Sequence, residues 1–163
     1  MLRIGVAADR KASFIDEVYN NLGSYQTMIF MNTKKDAELL EGRLRMKGIL
    51  AQRLTGDIEE SKRAKIMDDF RKTSITCLIS TNVLARGIDV PEVDLVINYD
   101  VPVIQTHGFK NPDYANFLHR VGRTGRFGTD GVAVTIVADE TDEDIVEQIG
   151  KYYGIDIKEV PDI

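Results

Sequence analysis

The sequence predicts an α/β fold, a three-layer sandwich in which a mostly parallel central sheet carries helices on both faces. Three observations lead there. Apolar runs of five to seven residues alternate with helix-period segments, the runs are rich in β-branched residues with little polar alternation, and the connections are short. Strands buried on both faces read as such continuous apolar runs, and strand-helix repetition builds parallel sheets. At 163 residues, 43% hydrophobic and 29% charged, the chain suits one domain with its own core. Four prolines, no low-complexity tract and no internal repeat leave little room for a linker or a disordered arm.

The elements follow in order. RIGVAA (3–8) reads as the first strand, and 11–21 as an amphipathic helix. TMIFM (27–31) is an apolar run that reads as a buried strand. Helix 34–47 is capped by Thr33, carries Lys34 and Lys35 in its first turn and stops at Gly48. ILAQRL (49–54) is a strand, and 59–72 an amphipathic helix. ITCLIS (75–80) and DLVINYD (94–100) are the next strands, separated by TNVLARGID. A helix follows over 114–121, VAVTIVA (132–138) is the last strong strand, and 142–153 the last helix. The acidic DETDED (139–144) belongs at the opening of that helix, where carboxylates favour the N-terminus.

The formal net charge is −5, unevenly placed. Residues 139–163 hold nine acids and two bases, net −7, leaving 17 acids and 19 bases, net +2, in residues 1–138. An acidic tail helix therefore leaves the remainder able to present a basic groove. Cys77, the single cysteine, sits inside ITCLIS as a buried strand residue, and two histidines and one cysteine far apart offer no metal site. No stretch is long enough to span a membrane, and MLRIGVAADRK lacks the apolar block of a signal peptide, so the expectation is a soluble intracellular protein.

In open parallel sheets, ligands gather at the carboxyl ends of the strands. Here every strand end in the middle of the chain carries polar equipment: Asn32, Thr33, Lys34 and Lys35 after TMIFM, TGD (55–57) and then Arg63 after ILAQRL, and Thr81, Arg86, Gly87 and Asp89 after ITCLIS. Farther on, HRVGRTGRFG (119–128) spaces Arg120, Arg123 and Arg126 three apart with Gly122 and Gly125 between them. Glycine lets backbone approach a bulky ligand, and guanidinium forks match phosphate oxygens. The segment reads as a phosphate clamp or, more plainly, as a solvated basic loop.

Five of these motifs, in this order, carry a resemblance. MIFMNTKKDAELL (28–40), TGDIEESKR (55–63), ISTNVLARGIDV (79–90), LVINYDVP (95–102) and HRVGRTGRFG are similar to the second, C-terminal RecA-like domain of a DEAD-box RNA helicase. The likeness runs from about residue 3 to the end. Sixteen residues separate Pro102 from His119, longer than in most of the family, and VPVIQTHGFKNPDYANFLHRVGRTGRFG resembles the nuclear-pore mRNA-export branch.

The resemblance implies roles. Arg123 and Arg126 would be arginine fingers on the γ-phosphate of ATP, whose Mg²⁺ and phosphates the absent N-terminal RecA-like domain would mainly hold. Asp89, with Gly87, would serve the ATP side, contacting the ribose or a finger, and His119 and Arg120 would help join the two domains. Thr81, Gly87 and Arg63, with Asn32 and Thr33, would contact RNA phosphates without reading sequence. Glu60 departs from the glutamine common in the family, and a carboxylate there would repel phosphate, so it stays outside the site. No GxxxxGK exists, since GVAADRK (5–11) has the wrong spacing and lacks the second glycine. The chain is accordingly expected to be a monomeric fragment of a longer two-domain helicase, beginning at an introduced Met1 and inert toward ATP by itself. Implied partners are RNA, the helicase's own first domain and nuclear-pore or mRNA-export factors, in cytoplasm or nucleus, including the cytoplasmic face of the pore. The alternative is a catalytically inert RNA-binding or protein-docking module that kept the fold.

Overall fold

Short buried strands and amphipathic helices alternate along the chain, as the apolar runs require. The structure, a computed structural model, describes residues 1–22, 26–81, 93–121 and 131–160. In order they form β1 (Leu2–Gly5), a 3-10 turn (Ala8–Arg10), α1 (Lys11–Leu22), β2 (Thr27–Met31), α2 (Lys34–Met46), β3 (Ala51–Leu54) and α3 (Glu60–Arg71). Then come β4 (Cys77–Thr81), β5 (Leu95–Asn98), β6 (Val103–Thr106), β7 (Phe109–Pro112), α4 (Tyr114–Val121), β8 (Val132–Val137), α5 (Glu140–Tyr153) and β9 (Lys158–Glu159).

Seven strands pair in the order β3-β4-β2-β5-β8-β1-β9, and every ladder between them is parallel. All residues of β2, β4 and β5 are buried, which explains why their sequences show no polar alternation. Successive side chains in β2 serve opposite faces. Met28 and Phe30 join Ile66, Met67 and Phe70 of α3, Phe117 of α4 and Ile145, Val146 and Ile149 of α5, while Ile29 and Met31 join Ile15 of α1 and Ala37, Leu40 and Leu44 of α2. The expected RecA-like sandwich is the fold found, with α1 and α2 on one face and α3, α4 and α5 on the other.

Local chemistry sets the helix ends. The Thr33 hydroxyl accepts from the Asp36 amide at 3.3 Å and caps α2. At the other end Gly48, at φ +81°, closes a Schellman turn: its amide donates to Arg45 and the Ile49 amide to Leu44. DETDED does open α5, with Asp139 as the cap and Glu140, Asp142 and Glu143 in the first turn. Between α1 and α2, buried Asp16 receives Arg43 and Lys47, each at 2.6 Å. Burial alone would raise its pKa, but the hydrogen bonds from Arg43 and Lys47 hold it below the ordinary value.

Two elements differ from the sequence reading. Residues 103–112 form an antiparallel hairpin outside the main sheet, with His107 at φ +53° and Gly108 at φ +81° as its two turn residues. Two consecutive positive φ values are the signature of the type I′ turn, which matches strand twist. The hairpin escapes the apolar pattern because seven of its eight strand residues are exposed or only half-buried. The second addition, β9, is only two residues long and pairs at the edge with β1.

Candidate nucleic-acid and nucleotide interface

Parallel strands bring all their carboxyl ends to one edge, and register decides which residues become neighbours there. Thr81 ends β4 level with Met31, the residue before Asn32, while Leu54 pairs with Ser80 and Asn98 with Phe30. Adjacent strands lie about 4.8 Å apart. Thr55, Thr81, Asn32 and Asp100 therefore line up as a short row across β3, β4, β2 and β5. The row divides into an inner and an outer part.

The inner part centres on Arg120, which α4 carries one turn from Phe117 and which is fully buried. Its guanidinium donates to the Asp100 carbonyl at 3.0 Å, to Asn98 Oδ1 at 3.3 Å and to Asn32 Oδ1 at 3.3 Å, and it stands 5.3 Å from the Phe30 ring. Burial pulls its pKa down to about 10, with Asp100 and Asp113 opposing, so it stays protonated at neutral pH. Asp100 is the hub around it. One carboxylate oxygen takes the Asn32 amide at 2.8 Å, the other meets Lys11 Nζ at 3.2 Å, and Lys11, itself buried, also donates to the Tyr99 carbonyl at 2.8 Å. Asn32 Nδ2 donates to the Val101 carbonyl at 3.0 Å, and Asn98 Nδ2 to Thr135 at 3.1 Å. Four elements, α1, β2, β5 and α4, are thus tied at one point by bonds that include charged partners, the stronger kind.

The outer part lies nearer solvent, although two of its residues, Thr55 and Thr81, are buried. Thr33 is exposed at the start of α2. Lys34 Nζ lies 3.0 Å from Asp57 Oδ2, with side chains 56% and 37% exposed. Buried Thr55 donates its hydroxyl to the other Asp57 oxygen, and the Arg53 guanidinium approaches at 3.7 Å. Thr55 and Lys34 together hold the Asp57 carboxyl well down, to about 2. Arg63 reaches back from α3 to the same loop, Nε donating to the Ile58 carbonyl at 2.8 Å and Nη2 to Gly56 at 3.1 Å. Those bonds use two of the five N–H donors of a guanidinium. Thr81 is buried at the end of β4, beside this loop.

Of the residues expected at the site, Asn32, Thr33, Arg63, Thr81 and Arg120 share this edge. Arg120 and the Asn32 side chain belong to its inner part. Gly87, Asp89, Arg123 and Arg126, and the side chain of His119, lie outside the described residues. Among the described residues no group of three His, Cys, Asp or Glu side chains clusters as metal ligands do. Sequence reasoning assigned no role to Asp100 or Lys11. The signal for Asp100 was its place at the end of LVINYD, on the ligand edge, but Lys11 drew attention only as a failed P-loop lysine.

Comparison with known proteins bears on this geometry. The helicase conserved C-terminal domain family matches residues 10–128. The ATP-dependent RNA helicase DBP5 of Saccharomyces cerevisiae is 42% identical over 152 residues, covering 93% of this chain and 31% of its own length. The chain thus spans about a third of the length of the curated relatives it matches. The C-terminal domain of the DEAD-box protein Dbp5 superposes with a TM-score of 0.91 at 39% identity, over 98% of this chain and 88% of that one. Saccharomyces cerevisiae Dbp5 bound to RNA and ADP BeF3 gives 0.86 at 38%, over 98% and 41%, and other structures of that yeast protein hold Gle1, IP6 and Nup159. The narrower likeness to the mRNA-export branch is matched by the DBP5 name these relatives share. The chain belongs to the helicase conserved C-terminal domain family and is the C-terminal, RecA-like domain of a DEAD-box protein.

Proposed function

We propose that the domain works as the second half of a two-domain, ATP-dependent RNA helicase that remodels RNA or ribonucleoprotein in mRNA export. The observation that carries this reading is the carboxyl edge, where Thr81 at the end of β4, Thr33 at the cap of α2 and Arg63, reaching back from α3 to loop 55–58, gather beside the Arg120 node. Phosphate contacts from such an edge grip RNA without reading bases, and closure of two domains on a nucleotide then bends the bound strand. ATP, with Mg²⁺, is held mainly by the first domain, which supplies the phosphate cradle. This chain adds Asp89 and Gly87 on the ATP side, while Arg123 and Arg126 offset the negative charge of the transferring phosphoryl group.

His119 and Arg120 serve the domain junction from the same helix. Arg120, being buried, acts there by fixing where α4 ends and the finger segment begins. RNA, the protein's own first domain and regulators of the Gle1 and Nup159 type are the partners, which places the work at the cytoplasmic side of the nuclear pore. The supports are the names and bound partners of the yeast relatives together with the rim chemistry.

Steady-state ATP turnover of the two-domain protein at saturating RNA tests the reading. Arg123→Ala or Arg126→Ala is expected to lower turnover by about two to four orders of magnitude, with RNA and nucleotide binding changed far less. The isolated domain is expected to release no phosphate from ATP. Turnover within a factor of about three of the parent in both variants would remove the finger assignment, because arginine fingers elsewhere contribute far more.

A further inference from the structure

The loop 55–58 engages the cations Lys34, Arg53 and Arg63. Asp57 receives Lys34 at 3.0 Å, and the carbonyls of Gly56 and Ile58 receive Arg63. Asp57 cannot leave easily, since the buried Thr55 hydroxyl anchors its second oxygen and Arg53 lies 3.7 Å from the oxygen that Lys34 meets. Lys34 is the movable member: its side chain is 56% exposed, on a four-carbon stem, one residue after Thr33. An exposed ion pair of this kind contributes little, so an approaching phosphate competes with Asp57 on nearly equal terms.

We infer that Lys34 is an RNA-phosphate ligand held in reserve by Asp57, and that RNA binding moves it from the carboxylate to the backbone of the bound strand. Asp57 thereby sets the affinity of the outer rim, lowering it for any polyanion and limiting non-productive binding. The inference rests on the RNA-binding reading above. Because Arg63 is held by carbonyls, which carry no net charge, and the less exposed Arg53 also pairs with Glu41 at 3.6 Å, removal of the Asp57 charge acts chiefly on Lys34.

The test is the affinity of the two-domain protein for a fluorescent single-stranded oligouridine, with a non-hydrolysable ATP analogue, across a salt series. Lys34→Ala is expected to weaken binding about three- to tenfold near 0.1 M salt and to lower the log–log salt slope by about 0.7, one single-strand phosphate contact. Asp57→Asn keeps an acceptor for Thr55 and is expected to tighten binding by about two- to fivefold, the weak attraction of an exposed pair being released. That gain should vanish in the Lys34→Ala background, and Lys34→Arg should keep the parent's slope. Melting curves of each variant separate loss of fold from loss of contact. An equal gain from Asp57→Asn with and without Lys34 would overturn the inference, because the carboxylate would then act by its own repulsion. So would an unchanged slope in Lys34→Ala. A parent that binds no RNA would remove the RNA reading, and this inference with it.

Discussion

The inner and outer halves of the carboxyl edge use similar residues for different ends. Arg120 and Arg63 both hydrogen-bond backbone carbonyls beside a strand end, yet one is fully buried among Asn32, Asn98 and Asp100 and the other is half-exposed over a loop. Lys11 and Lys34 both pair with an aspartate, but the Lys11 side chain is 9% exposed and that of Lys34 is 56% exposed. The difference teaches that burial, not residue type, decides whether a cation at a ligand edge builds the domain or stays available to a ligand. Removing a buried partner leaves polar groups stranded, whereas an exposed one is replaced by water.

The largest effect that sharpens this comparison is therefore expected at Arg120. Arg120→Ala should strand several acceptors and open a cavity, costing about 3–5 kcal/mol. For a domain of this size that lowers the melting temperature by roughly 6–20 °C, read by calorimetry or circular dichroism on the isolated domain. A shift below about 2 °C would place Arg120 with the exposed cations instead.

A smaller effect separates two jobs of one residue. Thr33 caps α2 and also stands on the outer rim. Thr33→Ala should cost about 1 kcal/mol of stability through loss of the cap, whereas Thr33→Asp keeps a capping oxygen and adds charge that the helix terminus favours. RNA affinity should respond in the opposite order, with the aspartate variant binding more weakly than the alanine variant because it opposes phosphate. Equal RNA affinities in the two variants would take Thr33 out of the interface and leave it a cap only.

Much of this was legible in the sequence because local rules and burial agree there. Continuous apolar runs gave the central strands, and Thr33 and Gly48 marked the ends of α2 through cap and positive-φ chemistry. The rule that ligands gather at strand carboxyl ends pointed to the candidate edge. The inward turn of Arg120 was readable in principle, since it follows Phe117 by three residues on one helix face, but three arginines at equal spacing look alike when nothing indicates which faces the core. The hairpin was hidden because its turn is His-Gly rather than Asn-Gly and its strands bury little. The Asp100 hub was hidden for a different reason. Its partners come from α1, β2 and α4, so only tertiary packing brings Lys11, Asn32 and Arg120 to it.

The division of the edge is tested most directly by the salt dependence of RNA affinity for Arg63→Ala in the two-domain protein, set beside its melting temperature. The outer-rim assignment predicts that the log–log slope falls by about 0.7, alike for all RNA sequences, while the melting temperature shifts by no more than about 2–4 °C. A slope equal to the parent's, with a large loss of melting temperature, would contradict the account, since Arg63 would then be one more internal strut like Arg120.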